Sequence, residues 1–194
     1  MDEARSGAAG AVNPYFALET PRTLDGWTSL DELTVAEVLA ARVRETHVAL
    51  GEGPVRAAAS VDSLGLFARL VSPVLAALTA TGRAPRLSSA TVWWRPAVPG
   101  PMRLAFTASQ TTTSLSDAVI APVVVPLVDT YSSTFALSRK VLWGNVASAL
   151  NGAARQLGRG RTDYRRRTCC LLYRFGTATV CGDCVLSRAG SPRS

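Results

Sequence analysis

The chain has 194 residues, 47% of them hydrophobic, and a formal charge of +7. This apolar content excludes an intrinsically disordered chain, and the length suits one folded domain with a sizeable core. The stretch 153–194 contains nine arginines and two aspartates, whereas residues 1–152 contain equal numbers of basic and acidic residues. A basic tail of this kind attracts nucleic acid, acidic lipid, an acidic protein or an anionic cofactor, and composition does not choose among them.

The first part of the chain predicts a loop followed by two helices. The loop covers residues 1–28, which contain two prolines and a glycine near their end. A helix is expected from Thr34, which begins a capping-box pattern, to the Gly/Pro cluster at 51–54. A second apolar helix is expected over 61–81, where Pro73 should kink or divide it.

The central part predicts two short strands and a further long helix. Residues 91–94 and 102–108 favour strands around a Pro/Gly turn at 99–101. Residues 118–137 are ambiguous, because their β-branched content favours a strand while Pro126 suits the first turn of a helix. An apolar stripe at helical spacing predicts a helix over 138–157, capped by its first residue, Ser138. The sequence therefore predicts an α+β fold: a helix-rich single domain with a small sheet.

The chain divides into two segments that differ in predicted structure and in cysteine content. Residues 1–160 form the predicted α+β body, and residues 161–194, here called the cysteine segment, contain all four cysteines. The first 13 residues lack the apolar region of a signal peptide, and the longest apolar run, 118–128, is shorter than the roughly 20 residues of a membrane span. We therefore expect a cytoplasmic protein without a membrane span, while the basic tail leaves peripheral membrane association open.

The four cysteines are Cys169, Cys170, Cys181 and Cys184, in the pattern Cys-Cys, ten residues, Cys-x-x-Cys. Thiols stay reduced in the cytoplasm, so such a cluster favours a metal or a catalytic site over disulfides. Four thiolates commonly hold a 2Fe–2S cluster. Adjacent cysteines on a strand point to opposite faces, so the backbone must bend, and residues 171–180 are expected to form a hairpin that joins the two pairs.

Three other interpretations stay open. Four cysteines also hold structural zinc, although zinc ribbons usually pair two Cys-x-x-Cys-like turns. Disulfides would need an oxidising compartment, and four unrelated buried thiols would account for the pattern without any ligand. If zinc were bound, the chain would be a zinc-stabilised basic binding module for nucleic acid or protein, without redox activity.

The cysteine segment also resembles a known family. It reads RRTCCLLYR from Arg166 and CGDCVL from Cys181, and it follows LWGNVASAL from Leu142 and SPVL from Ser72. These motifs resemble the FhuF-like siderophore-iron reductases, whose Cys-Cys-x10-Cys-x-x-Cys signature all four cysteines match. The chain differs from that family in a shorter stretch at 158–164.

The resemblance implies a 2Fe–2S cluster held by the four cysteines, which serve as both cofactor-binding and metal-ligating residues. It implies one-electron reduction of a cytoplasmic ferric siderophore, with hydroxamate chelates among the candidates, and an iron-free product chelate. A ferredoxin-like or flavin-dependent protein would donate the electron, and nucleic acid is not an expected partner. No catalytic residue beyond the cluster is implied, and the sequence contains a single histidine and no nucleotide-binding motif.

Three arginines flank the cysteines: Arg166, Arg167 and Arg174. They are candidates for offsetting the negative charge of a tetrathiolate cluster, or for guiding an acidic electron donor. A solvated basic surface explains them equally well.

Overall fold

The computed structural model describes residues 13–96, 101–176 and 180–186. Its helices are α1 (Ala36–Leu50), α2 (Val55–Thr81), α3 (Val125–Phe135) and α4 (Arg139–Gln156). Its strands are β1 (Thr28–Ser29), β2 (Ala84–Pro85), β3 (Val92–Arg95), β4 (Arg103–Phe106) and β5 (Thr111–Thr112). Short 3-10 turns cover Leu30–Thr34, Ser89–Thr91 and Leu172–Arg174. The helix-rich α+β prediction is confirmed.

The strands form two small antiparallel sheets. One has the order β1-β3-β4, and β2 pairs with β5 in the other. Along β3 the burial alternates, so Trp94 faces the core while Trp93 is only half-buried. The two strands expected around the Pro/Gly turn are therefore confirmed, although residues 97–100 of that turn lie outside the described residues.

Helix α2 lies at the centre of the core and packs against both α1 and α4. It begins six residues before the expected Val61, because Pro54 takes the N-cap position and the Ala-rich turn that follows favours helix. It continues through Pro73 without division, so of the two expected effects of this proline, a kink or a division, the division is wrong. Packing on both sides holds this helix together, and Leu66, Phe67 and Leu70 are fully buried.

Three other boundaries were decided by local hydrogen bonds. Helix α1 begins at Ala36 and not at Thr34, whose hydroxyl donates to the Asp31 carbonyl (2.6 Å) inside the preceding 3-10 turn. The ambiguous stretch is helical: a π-helical segment, Ser116–Val124, runs directly into α3. The Ser138 hydroxyl accepts from the Lys140 backbone N–H (3.2 Å), so the predicted cap of α4 is confirmed.

Two helical stretches, Val55–Thr81 and Ser116–Phe135, have the length and composition to cross a membrane. Core helices of soluble proteins meet the same criteria. Within α2 both Asp62 and Arg69 are buried, and both make polar contacts to other parts of the fold. The expectation of no membrane span stays a prediction.

Candidate metal centre

A buried polar network joins the cysteine segment to the helical core. The Asn145 side chain on α4 donates to the Ser60 carbonyl (2.8 Å) and the Ser63 hydroxyl (2.9 Å), both on α2. Its carbonyl oxygen accepts a hydrogen bond from Nη2 of Arg166 in the cysteine segment. Asn145 and both serines are fully buried, and Arg166 is only 1% exposed. The network therefore fixes a guanidinium group against the centre of the fold.

Gly144 makes room for this approach. A Cβ atom at position 144 would overlap the hydroxyl of Thr168, the residue that precedes the first cysteine. That hydroxyl lies 3.4 Å from the Lys140 carbonyl, one turn earlier on α4. Gly144 thus leaves space for the cysteine segment to pack against α4, and Asn145 forms the hydrogen bond that holds it there.

Two further residues, Asp183 and Phe175, fix the turns that carry the cysteines. Asp183, inside the Cys-x-x-Cys turn, accepts a hydrogen bond from the Ser148 hydroxyl on α4, and its backbone carbonyl accepts from the Arg166 N–H (3.1 Å). Phe175, which is 1% exposed, packs on Gly53 between α1 and α2 and makes an edge contact with His47. Asp183 thus lies in the turn between two cysteines and anchors that turn to α4.

The structure brings Cys170 and Cys181, one from each half of the motif, into contact. Their sulfurs lie 3.4 Å apart, and no disulfide joins any of the four cysteines. A disulfide would place two sulfurs about 2.05 Å apart. Two ligands of one tetrahedral ion, each about 2.3 Å from the metal, would lie about 3.8 Å apart. The observed separation is that of a hydrogen bond from the Cys170 thiol to the Cys181 sulfur, about 0.4 Å shorter than the separation of two thiolates on one metal ion.

The other two cysteines accept hydrogen bonds from the backbone. The Leu171 N–H lies 3.3 Å from the Cys169 sulfur, and the Leu186 N–H lies 3.3 Å from the Cys184 sulfur. Leu171 has a φ of +68°, which is uncommon for a residue with a side chain, and this supplies the bend that adjacent cysteines require. The expected hairpin over 171–180 is wrong in its first half, where residues 172–174 form a single 3-10 turn; residues 177–179 lie outside the described part of the chain.

The described residues contain no group of three or more His, Cys, Asp and Glu side chains arranged to hold a single metal ion. Cys170 and Cys181 form a close pair, and the pKa of Cys169 is raised chiefly by burial and to a smaller extent by the nearby Cys170 and Cys184. A single ion needs all its ligands around one point, whereas a binuclear cluster divides four ligands between two irons. The assignment of all four cysteines as ligands stays a prediction.

Burial and charge act in opposite directions on these thiols. Burial raises the pKa of Cys169, and burial together with the neighbouring Cys170 raises the pKa of Cys181 to about 12. The Arg166 guanidinium lowers both pKa values, and its Nε and Nη1 atoms are buried without a hydrogen-bond partner among the described residues. Such orphaned cationic donors beside sulfur fit an anionic group at this site, as a tetrathiolate cluster would be.

The three flanking arginines therefore differ. Arg166 is buried beside the sulfurs, which corrects the view of all three as one solvated surface, whereas Arg167 and Arg174 are exposed. Asn145, within the LWGNVASAL motif, is fully buried and serves as the acceptor for Arg166. The sequence did not lead us to identify Ser60, Ser63 and Ser148 as residues that support this site. The available signal was the presence of small polar residues on otherwise apolar helix faces.

The comparisons with known proteins do not assign the chain to a family. No model of a known protein family matches it, and no curated protein is similar to it. The resemblance to the FhuF-like reductases consequently stays a prediction.

Proposed function

We propose that this protein reduces ferric siderophores in the cytoplasm by one electron, through a 2Fe–2S cluster held by Cys169, Cys170, Cys181 and Cys184. The observation that carries the proposal is the Cys170–Cys181 sulfur contact of 3.4 Å beside a buried guanidinium with two unpaired donors. The four-cysteine spacing and its resemblance to siderophore-iron reductases supply the substrate class.

The cluster, when bound, supplies a carrier that accepts and releases single electrons. The protein's own part is to set the charge around it. Arg166, held by Asn145, places a positive charge that cannot be fully screened by solvent, because the side chain is 1% exposed. A buried positive charge favours the state with the extra electron, so Arg166 raises the reduction potential of a group bound at the sulfurs.

Release of the iron follows from ligand chemistry. The substrate's ferric ion gains one electron and becomes ferrous, and the hard oxygen ligands of a siderophore hold the ferrous ion less tightly. This step needs neither a general acid nor a nucleophile from the protein. The electron would reach the protein from a ferredoxin-like or flavin-dependent donor, for which the exposed Arg167 and Arg174 offer positive charge.

Metal and sulfide analysis tests the proposal directly. Protein purified without air should contain iron and acid-labile sulfide in equal amounts, and Cys170→Ser or Cys181→Ser should lose both, because oxygen is a poorer ligand than thiolate at such a site. Ser133→Ala is a matched control: it removes an exposed hydroxyl on α3 that donates to the Thr130 carbonyl of the same helix, so the iron content should persist. Stoichiometric zinc without sulfide would overturn the proposal and favour the zinc-stabilised basic module.

A further inference from the structure

A cleft of about 520 Å³ lies between α4 and the start of the cysteine segment. Its volume falls within the range of small-molecule sites, roughly 300–1,000 Å³. Its lining includes three cationic and two aromatic side chains, together with the residue before the first cysteine: Lys140, Arg165, Arg167, Trp143, Tyr164 and Thr168. None of its described lining residues is acidic.

The positive charge of this cleft is largely uncompensated. Neither Lys140 nor Arg167 forms an ion pair within the described parts of the chain, and both are exposed. Arg165 donates to the Cys184 carbonyl (3.3 Å), so its cationic end is held beside a cysteine turn. Burial and, to a smaller extent, the Asp183 carboxylate raise the pKa of Tyr164, and Asp183 already accepts a hydrogen bond from Ser148. The cleft is thus complementary to an anion.

The aromatic lining adds a second property that a matching ligand should have. Trp143 and Tyr164 are both half-buried, so each presents part of its ring to the cleft. Gly144 also lines the cleft, and the Thr168 side chain packs against it. Flat aromatic groups of a ligand would stack on such rings, while its negative charge would meet the cationic side chains.

The cleft adjoins the start of the cysteine motif. Thr168 lines it, and the next residue in the chain is Cys169, which is only half-buried. A molecule in the cleft would therefore contact the residue that precedes the first cysteine. Another cleft, about 280 Å³ between Arg56, Leu171 and Arg174, is smaller and has no aromatic ring among its described lining residues.

We infer that this cleft binds an anionic ferric chelate whose iron-binding groups are aromatic, the tris-catecholate class of siderophore. This inference rests on the proposed function and deepens it. A ferric tris-catecholate is strongly anionic, because three doubly negative catecholates outweigh the ferric charge, and its rings are flat and aromatic. A ferric tris-hydroxamate is neutral and has no such rings, so it matches neither property of the lining.

The reaction at this site is an electron transfer without covalent change to the protein. The reduced protein loses one electron, the ferric ion gains it, and catecholate oxygens freed from the weakly held ferrous ion take up protons from solvent. No other reactant is needed beyond the donor that reduced the protein.

Binding can be tested apart from electron transfer with gallium(III), which has the charge of ferric iron but is not reduced. The gallium tris-catecholate should quench tryptophan fluorescence in the purified protein with saturation, and Trp143→Phe should remove most of that quenching. The neutral gallium tris-hydroxamate should bind at least about tenfold more weakly, which is the scale of one charge-assisted hydrogen bond.

Variants locate the site. The double variant Lys140→Ala, Arg167→Ala should weaken binding of the catecholate at least about tenfold, and added salt should weaken binding to the unaltered protein. The control Arg44→Ala, Arg86→Ala removes the same charge from exposed positions elsewhere, and its affinity should stay unchanged. Equal loss in both double variants would reduce the effect to net charge and overturn the inference, as would stronger binding of the hydroxamate.

These experiments distinguish failure of the ligand assignment from failure of the proposed function. If the catecholate binds in the cleft but the protein contains no iron and no sulfide, the inference about the ligand stands and the redox role fails. If the protein contains the cluster but the gallium catecholate does not quench Trp143, the redox role stands and this ligand assignment fails.

Discussion

Replacing Asn145 by alanine should weaken the contact between the cysteine segment and the helical core, and so lower the free energy of unfolding. The substitution removes the acceptor of the Arg166 guanidinium and the donor to the Ser60 carbonyl and the Ser63 hydroxyl. A hydrogen bond to a charged group contributes about 1.5–3 kcal/mol, and each buried polar group left without a partner costs about 1–3 kcal/mol. Arg166 cannot turn to solvent without leaving its position, since it is 1% exposed.

We therefore expect a loss of about 3–5 kcal/mol in the free energy of unfolding, similar to that for removing one partner of a buried charge pair. For a chain of this length the melting temperature falls about 2–4 °C per kcal/mol, so the midpoint should fall by about 10 °C. Thermal unfolding followed by circular dichroism at the helical signal measures it. Urea unfolding of the same samples gives the free energy independently.

Asn151→Ala provides the matched control on the same helix. Asn151 exchanges two hydrogen bonds with the Arg161 backbone (3.0 and 3.2 Å), but the contact is exposed, so its loss should cost about 1 kcal/mol or less. A second variant, Asn145→Asp, keeps an acceptor for Arg166 and should be intermediate. If Asn145→Ala and Asn151→Ala lower the midpoint equally, the buried network does not hold the cysteine segment and the reasoning is refuted.

Three other predictions concern the sulfurs and their surroundings. Arg166→Gln should lower the reduction potential of the bound cluster by tens of millivolts, and by more than Arg167→Gln or Arg174→Gln, because only Arg166 is shielded from solvent; a redox titration followed by EPR measures this, and equal shifts would contradict it. In metal-free protein the raised pKa of Cys181, about 12, should make its alkylation rate rise about a hundredfold between pH 8 and pH 10, against about fourfold for an ordinary thiol, because only the thiolate reacts; peptide mapping after timed alkylation would show a plateau near pH 9 if the pKa were normal. Gly144→Ala should displace Thr168 and reduce cluster content, whereas Gly152→Ala, where a Cβ meets open space on the same helix, should leave it unchanged; iron and sulfide analysis of both variants compares them, and equal iron content would show that the close approach at Gly144 is not required.

The linear pattern of the chain determined much of the fold. Apolar residues at helical spacing placed α4 within a residue of its observed ends, and the Ser138 cap followed from local chemistry alone. The β-branched and aromatic content placed the two longest strands, whereas the structure showed that Trp94 and not Trp93 faces the core. These features depend on neighbours within one turn or one strand, so a single sequence contains them.

What required the tertiary structure depends on residues far apart in the chain. Only the fold brings Asn145 to Ser60 and to Arg166, and only the fold buries Arg166 while leaving Arg167 exposed. The helical state of 116–135 was likewise decided by packing, because β-branched residues favour strands locally but fill a core equally well as a helix. The cysteine spacing identified the candidate ligands, whereas the long-range contacts decided that one sulfur pair meets and that a buried charge lies beside it. They also decided that a basic cleft opens beside Thr168. A spacing specifies which residues are near in the chain, and only packing specifies which are near in space.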